Sequence, residues 1–245
     1  MKTYLVISDL HCPFQHPAAF DFLNNLKKYY KPDIVVCIGD EIDAYAFSRF
    51  DKDPEMSSPA DELARAVASL KTLYKIFPKV YVCESNHTLR PWKKAKAAGI
   101  PERMVKSYRD VLQAPDDWVW AHAHAFDNDV WRAITAGYNE KFSSDAIVFM
   151  HGDGYSGKGA ATDAAEKNRA NTVMGHTHSY PGLSYCGNQF GAIWGLNVGC
   201  LIDVQSPAFS YAKRNKNFPV IGTGVLIEGK PVFVPLEKQN LNPSA

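Results

Sequence analysis

The chain has 245 residues, of which 46% are hydrophobic and 22% charged, the balance of an ordinary globular protein. Disordered and fibrous classes are excluded, and a chain of this length can form a core without disulfide or oligomeric support. Its 27 lysines and arginines nearly match its 26 acids, so no global field points to nucleic acid or an anionic membrane.

Thr3 to Ser8 reads as a buried strand, and Asp33 to Ile38 as a second. Between them Ala19, Phe22, Leu23, Leu26 and Tyr30 recur at helical spacing behind Pro17. The run Ser58-Pro59-Ala60-Asp61 opens a second helix, with serine as cap and proline at the first helical position. Leu63, Ala66, Val67, Leu70, Leu73, Tyr74 and Phe77 form its apolar stripe; Pro78 ends it, and Val80 to Cys83 is the next strand. This β-α-β-α-β order predicts a parallel sheet with right-handed crossovers. Further on, Trp118 to Phe126 and Val130 to Thr135 flank Asp127-Asn128-Asp129 as a hairpin. Strands are also expected over Ala146–Met150, Asn171–Met174 and Ala192–Val198. A final hairpin pairs Val220–Ile227 with Pro231–Val234. With no repeat or linker in view, residues 1–245 are expected to form one domain.

The location expected is cytoplasmic. The five cysteines form no CxxC pair, as in a reducing compartment. Tyr4-Leu5-Val6-Ile7 is too short for a signal-peptide core, and no apolar run approaches the roughly 18 residues of a membrane span.

Five of the expected strands are each followed by groups that can hold a metal. Asp9 and His11 follow the first, Asp40 and Asp43 the second, and Asn86 and His87 the third. His151 follows the Ala146–Met150 strand, and Gly175-His176-Thr177-His178 the next. Strand ends of an open α/β sheet share one edge, where ligands bind. His176 and His178, two apart in an extended chain, are expected to point the same way. One Asp-x-His after a strand is commonly a simple turn, but five such loops crowding carboxylates and imidazoles have no shared structural explanation. A metal centre supplies one. The seven donors Asp9, His11, Asp40, Asn86, His151, His176 and His178 exceed the needs of one ion and suit two ions bridged by a carboxylate. All are oxygen or nitrogen donors, which favours Mn²⁺ first, with Fe, Zn²⁺ or Mg²⁺ as alternatives. Paired ions activate water and clamp a phosphoryl oxygen, so the expected chemistry is phosphoester hydrolysis.

The set Asp-x-His, Gly-Asp-x-x-Asp, Asn-His, His-Gly and Gly-His-x-His, in that order over residues 9 to 178, resembles the calcineurin-like metallophosphoesterases. The resemblance implies an α/β fold: a four-layer α/β/β/α sandwich with two mixed sheets and a dinuclear site at the C-terminal strand ends. It also implies that Asp9, His11, Asp40 and His178 hold one metal, and that Asp40 bridges to a second held with Asn86, His151 and His176. His87 would be the catalytic histidine, assisting the leaving group or stabilising the transition state, while a metal-bound hydroxide attacks phosphorus in line. Two departures stand out. Thr88 replaces the acid that usually follows the Asn-His pair and orients its histidine, and Asn197-Val198-Gly199-Cys200 replaces the usual Asn-Pro-Gly-Ser.

Outside those motifs, Gly152 to Gly159 nearly spells a P-loop but has Gly159 where a metal-binding hydroxyl belongs. Lys158 in that loop, with Asp43, Arg49, Thr88 and Arg90, is a candidate for substrate contact or support of the ligands. Seven cations between Arg90 and Arg109 oppose only Glu102, which reads as a solvated helical face or as a groove tracking a polynucleotide. Trp118, Trp120, His122 and His124 alternate onto one face of the expected hairpin, as a packed amphipathic hairpin or a base-stacking platform. The expected activity is phosphodiester hydrolysis of a nucleotide or nucleic acid, with a phosphoester substrate as partner, no membrane and no obligate protein partner. A phosphomonoesterase, which would need paired arginines such as Arg49 and Arg90, is one alternative; a non-catalytic scaffold with eroded ligands is the other.

Overall fold

The computed structural model describes residues 2–48, 56–137, 141–143, 145–189, 191–206 and 217–236. Arg49, with Phe50 beside it, falls outside them. The first four parallel strands are β1 (Tyr4–Ile7), β2 (Ile34–Cys37), β3 (Val80–Cys83) and β4 (Trp118–Ala121). They share a sheet with the closing hairpin β11 (Gly222–Ile227) and β12 (Lys230–Pro235), in the order β12-β11-β1-β2-β3-β4. The second sheet runs β6-β5-β7-β8-β10-β9. Its strands are β5 (Ala123–Asp127), β6 (Val130–Ile134), β7 (Ile147–Met150), β8 (Asn171–Met174), β9 (Gly182–Asn188) and β10 (Gly191–Asn197). Both sheets are mixed: β1 pairs β2 in parallel and β11 antiparallel, while β8 pairs β7 and β10 in parallel and β9 lies antiparallel to β10.

Period-two alternation explains the layering. In β1, Leu5 and Ile7 face the helices α1 (Ala19–Tyr30) and α2 (Pro59–Ile76), joining Phe22, Leu23, Leu70 and Leu73. Tyr4 and Val6 face the other way, into a core shared with Phe126, Phe149, Val173 and Leu196 of the second sheet. Strands buried on both faces read as continuous apolar runs, as β1 to β3 do. On the far side of the second sheet lies α5 (Ala160–Asn168), whose Ala160, Ala161 and Ala164 are buried. Gly195 of β10 lets that helix approach, since a Cβ there would overlap the backbone of Ala161. The result is helix, sheet, sheet, helix, with short α3 (Arg90–Ala97) and α4 (Tyr108–Leu112) between β3 and β4.

The expected helices start as the sequence indicates. Ser58 accepts a hydrogen bond from the Asp61 amide, with Pro59 at the first position. The final hairpin and the Asn128-Asp129 hairpin form, both turning on positive-φ residues.

The stretch Trp118–Phe126 departs from expectation. It is two strands, β4 and β5, separated by His122 alone and lying in different sheets. The expected common face therefore does not exist. Trp118 is buried, donating from Nε1 to the Phe77 carbonyl, and Trp120 donates to Glu41. His124 is buried between the sheets, bonded to the Val82 carbonyl. The stretch packs as core, which removes the base-stacking platform. Among the described residues no helix is long and apolar enough to cross a membrane.

Candidate metal centre

The C-terminal ends of β1, β2, β3, β7 and β8 converge where the two sheets meet, and each carries its motif there. All seven expected donors come together in two overlapping groups. Asp9, His11, Asp40 and His178 place ligand atoms within 4.8 Å of one another, and so do Asp40, His151 and His176. Asn86 joins the second group, its Oδ1 standing 2.9 Å from His151 Nε2. Asp40 is common to both.

The local backbone is built for this. His11, Asp40, His176 and His178 all have φ between 48° and 64°, a region that non-glycine residues enter at a cost of about 1–3 kcal/mol each. Such strain concentrates at functional sites. It also corrects one expectation: His176 and His178 do not point the same way, because neither is extended. His176 Nδ1 lies 3.1 Å from His151 Nε2, whereas His178 Nε2 lies 3.2 Å from His11 Nε2. One histidine serves each group. Gly175 before them has no side chain because a Cβ would overlap Asp9 Oδ2 and Ile38 Cδ1.

The donor set fits divalent ions. His11 Nδ1 is held by Asp43 Oδ2 at 2.9 Å, and His151 Nδ1 by the Ile38 carbonyl at 2.9 Å. With the outer nitrogen committed as a donor, Nε2 of each ring is the atom turned inward, the usual outer-sphere arrangement of a metal-binding imidazole. Asp9 and Asp40 are fully or almost fully buried, and Asp9 Oδ2 has no hydrogen-bond partner. Burial alone would raise Asp40, but His151, His87 and His11 hold its carboxyl well below the usual range. Burial likewise opposes charge on His151, yet Asp40, Asp9 and Asp153 push it up to about 10. Buried carboxylates that draw protons onto neighbouring imidazoles mark a place for a cation, which releases those protons when it binds.

His87 sits beside this cluster. Its Nδ1 contacts the Asp43 carbonyl oxygen at 2.5 Å, and its Nε2 accepts from Arg90 Nη2 at 2.8 Å. Burial pushes it down to about 4, so it is a neutral imidazole whose Nε2 is turned to a guanidinium. Thr88 bonds Ser85 Oγ at 2.7 Å, and Ser85 Oγ accepts the Asp40 amide at 3.0 Å. The orienting partner of His87 is thus a main-chain carbonyl, and Thr88 braces the Asp40 loop instead. Asp43 Oδ1 lies 3.5 Å from Arg90 Nη1. Lys158 is exposed before α5 and does not line the cleft that contains His176.

Two nearby acids escaped the sequence reading. Asp153, half-exposed, places Oδ1 3.5 Å from His151 Nε2; the tripeptide His151-Gly152-Asp153 was the available signal. Glu41 is fully buried under the site, accepts from Trp120 Nε1 at 3.0 Å and is raised to about 7 by burial. Nothing in sequence distinguishes it from a solvated acid.

A sandwich of two mixed sheets with this cluster at the strand ends offers the donors that metal-dependent hydrolysis of phosphoesters uses. The family model for calcineurin-like phosphoesterases matches residues 2–192, and the chain belongs to that family. Among solved structures it is similar to Yfce, a phosphoesterase from E. coli, at 15% identity over 91% of this chain and 87% of that one, with TM-score 0.41. It is also similar to Vacuolar Protein Sorting 29 from Cryptosporidium parvum (15% identity, 84% and 79% covered, TM-score 0.35). Vps29 from Chaetomium thermophilum matches at 14% identity, with 92% and 81% covered and TM-score 0.36. No curated protein matches the chain.

Proposed function

We propose that the protein is a dinuclear phosphodiesterase acting on a nucleotide or nucleic acid. The observation that carries this is the sharing of Asp40 between two ligand groups, a carboxylate placed where two ions would meet. In this reading Asp9, His11, Asp40 and His178 hold one ion, and Asp40, Asn86, His151 and His176 the other. Mn²⁺ is the expected metal on an oxygen and nitrogen donor set, with Fe, Zn²⁺ and Mg²⁺ as its competitors. When bound, such a pair activates water and neutralises charge on phosphoryl oxygens. Asp43 and the Ile38 carbonyl keep His11 and His151 oriented, and the Thr88–Ser85 pair holds the Asp40 loop. His87 and Arg90 are bonded to one another and would meet the leaving oxygen as a unit, the guanidinium supplying the positive charge. Arg90 spends its donors on the Asp43 carbonyl and His87, which leaves less for the doubly charged phosphate of a monoester. The protein is read as cytoplasmic, working without an obligate protein partner.

Turnover of bis-p-nitrophenyl phosphate against p-nitrophenyl phosphate with Mn²⁺, with His176→Ala as control, tests this. Diester turnover lost in the variant is expected. A monoester preference makes the protein a phosphatase, and metal binding without turnover of either substrate makes it a scaffold.

A further inference from the structure

A cleft of ≈ 680 Å³ opens beside Asn86 and His176, and one face of α3 forms its wall. Arg90, Lys93, Lys94 and Ala97 line it, the i, i+3, i+4, i+7 spacing of one helical face. Phe47 lies on the same cleft. The volume is that of an organic ligand site, far more than one phosphate needs. The neighbouring face of α3 lines a second depression of ≈ 440 Å³ with Trp92, Lys93 and Lys96. A third of ≈ 620 Å³ follows, with Trp92, Arg103 and Lys106. Lys93 borders the first two and Trp92 the last two, so the three are contiguous.

The charges along this path are available to a ligand. Arg109 is paired with Asp116 and Arg90 with Asp43, but Lys93, Lys94, Lys96, Arg103 and Lys106 have no ion-pair partner among the described residues. The helix α3 contains no acid and none of its residues is buried; the acids on the path are Asp153 in the first cleft and Glu102, which lines the other two. A solvated face would need only scattered cations; a row of unpaired ones, beginning at the phosphoesterase cluster and interleaved with half-buried aromatics, is what a single strand requires. The path also turns from one face of α3 to the next. A flexible strand follows such a turn, whereas a duplex with a persistence length of about 150 base pairs does not.

We infer that the substrate is single-stranded nucleic acid, laid from the metal cluster along Lys93, Lys94 and Lys96 to Arg103 and Lys106. This rests on the phosphodiesterase reading above and names its substrate. Phosphates meet the cations, and Phe47 and Trp92 offer their rings to bases.

The test uses a labelled single-stranded oligonucleotide, the matching duplex and bis-p-nitrophenyl phosphate, with the Mn²⁺-loaded protein. The variants are Lys93→Glu/Lys94→Glu and Arg103→Glu/Lys106→Glu, with circular dichroism to establish folding. Anisotropy over a salt series should give the wild type a slope of log K against log salt of about −0.7 per phosphate contact. Each double variant should make that slope shallower by about 1.4 and lower the ratio of oligonucleotide to bis-p-nitrophenyl phosphate turnover about tenfold. Variants that bind the oligonucleotide with the wild-type slope overturn the path. Tighter binding of the duplex overturns the single-strand assignment. If the wild type cleaves bis-p-nitrophenyl phosphate but neither binds nor cuts the oligonucleotide, this inference fails and the phosphodiesterase reading stands. If it cleaves neither diester, both fail.

Discussion

Asp43 touches the proposed metal centre only through another residue, which makes its substitution informative. Its Oδ2 accepts from His11 Nδ1 at 2.9 Å, and its Oδ1 lies 3.5 Å from Arg90. Its main-chain oxygen accepts from His87 and Arg90, and those contacts survive any change of side chain. Asp43→Asn can therefore keep a hydrogen bond to His11 while removing the charge that raises the basicity of the imidazole. Asp43→Ala also leaves a buried N–H without a partner. Loss of an outer-sphere carboxylate costs about 10–100-fold in metal affinity, or about 1.4–2.7 kcal/mol. Asparagine should fall near the lower limit and alanine near the upper. Calorimetric titration of Mn²⁺ into chelator-treated protein should resolve two binding steps, of which only the one belonging to the His11 group weakens. Wild-type affinity in both variants, or equal weakening of both steps, would show that His11 is not oriented in this way.

His124 should make the protein acid-sensitive. Its Nε2 donates to the Val82 carbonyl and its Nδ1 accepts from Trp131 Nε1, so protonation would set two donors against each other. Burial pushes it down to about 4 from 6.5, hence stability present above pH 6.5 is lost as pH falls toward 4, by about 3 kcal/mol. Urea midpoints at pH 7 and pH 4.5 should differ less in His124→Gln than in the wild type; equal differences would refute this. Gly175→Ala should fold but bind metal at least about tenfold more weakly, because its methyl displaces Asp9; metal content after dialysis reads this directly. Mn²⁺ at a hundredfold excess over its Kd should stabilise the wild type by about 2.7 kcal/mol, seen as a rise in melting temperature that chelation reverses. His151→Ala should lose most of that rise.

The motifs were legible because each sits just past a strand whose apolar run is short and bounded. Asp9, Asp40, Asn86, His151 and His176 are placed at strand ends by that pattern alone. What stayed hidden has identifiable causes. The step from β4 to β5 passes through Ala121-His122-Ala123, which contains no glycine, proline or asparagine to announce a turn, so two strands read as one. Strand β9 alternates in the inverse sense, with Leu183 and Tyr185 exposed and Ser184 and Cys186 half-buried, so its apolar residues do not mark a core face. The divergence of His176 and His178 depends on left-handed backbone angles that histidine seldom adopts, and only surrounding structure imposes them.

The single residue between β4 and β5 has a consequence for assembly. Asp9, His11, Asp40 and Asn86 hang from the first sheet, while His151, His176 and His178 hang from the second. In the proposed centre each ion would draw donors from both halves, His178 completing the set of Asp9, His11 and Asp40, and Asp40 and Asn86 completing that of His151 and His176. The full set therefore exists only where the two sheets are docked, with His122 as the tether and His124, bonded to the Val82 carbonyl, as a clasp between them. A split version of this protein would therefore report reunion of its halves by a gain in metal affinity.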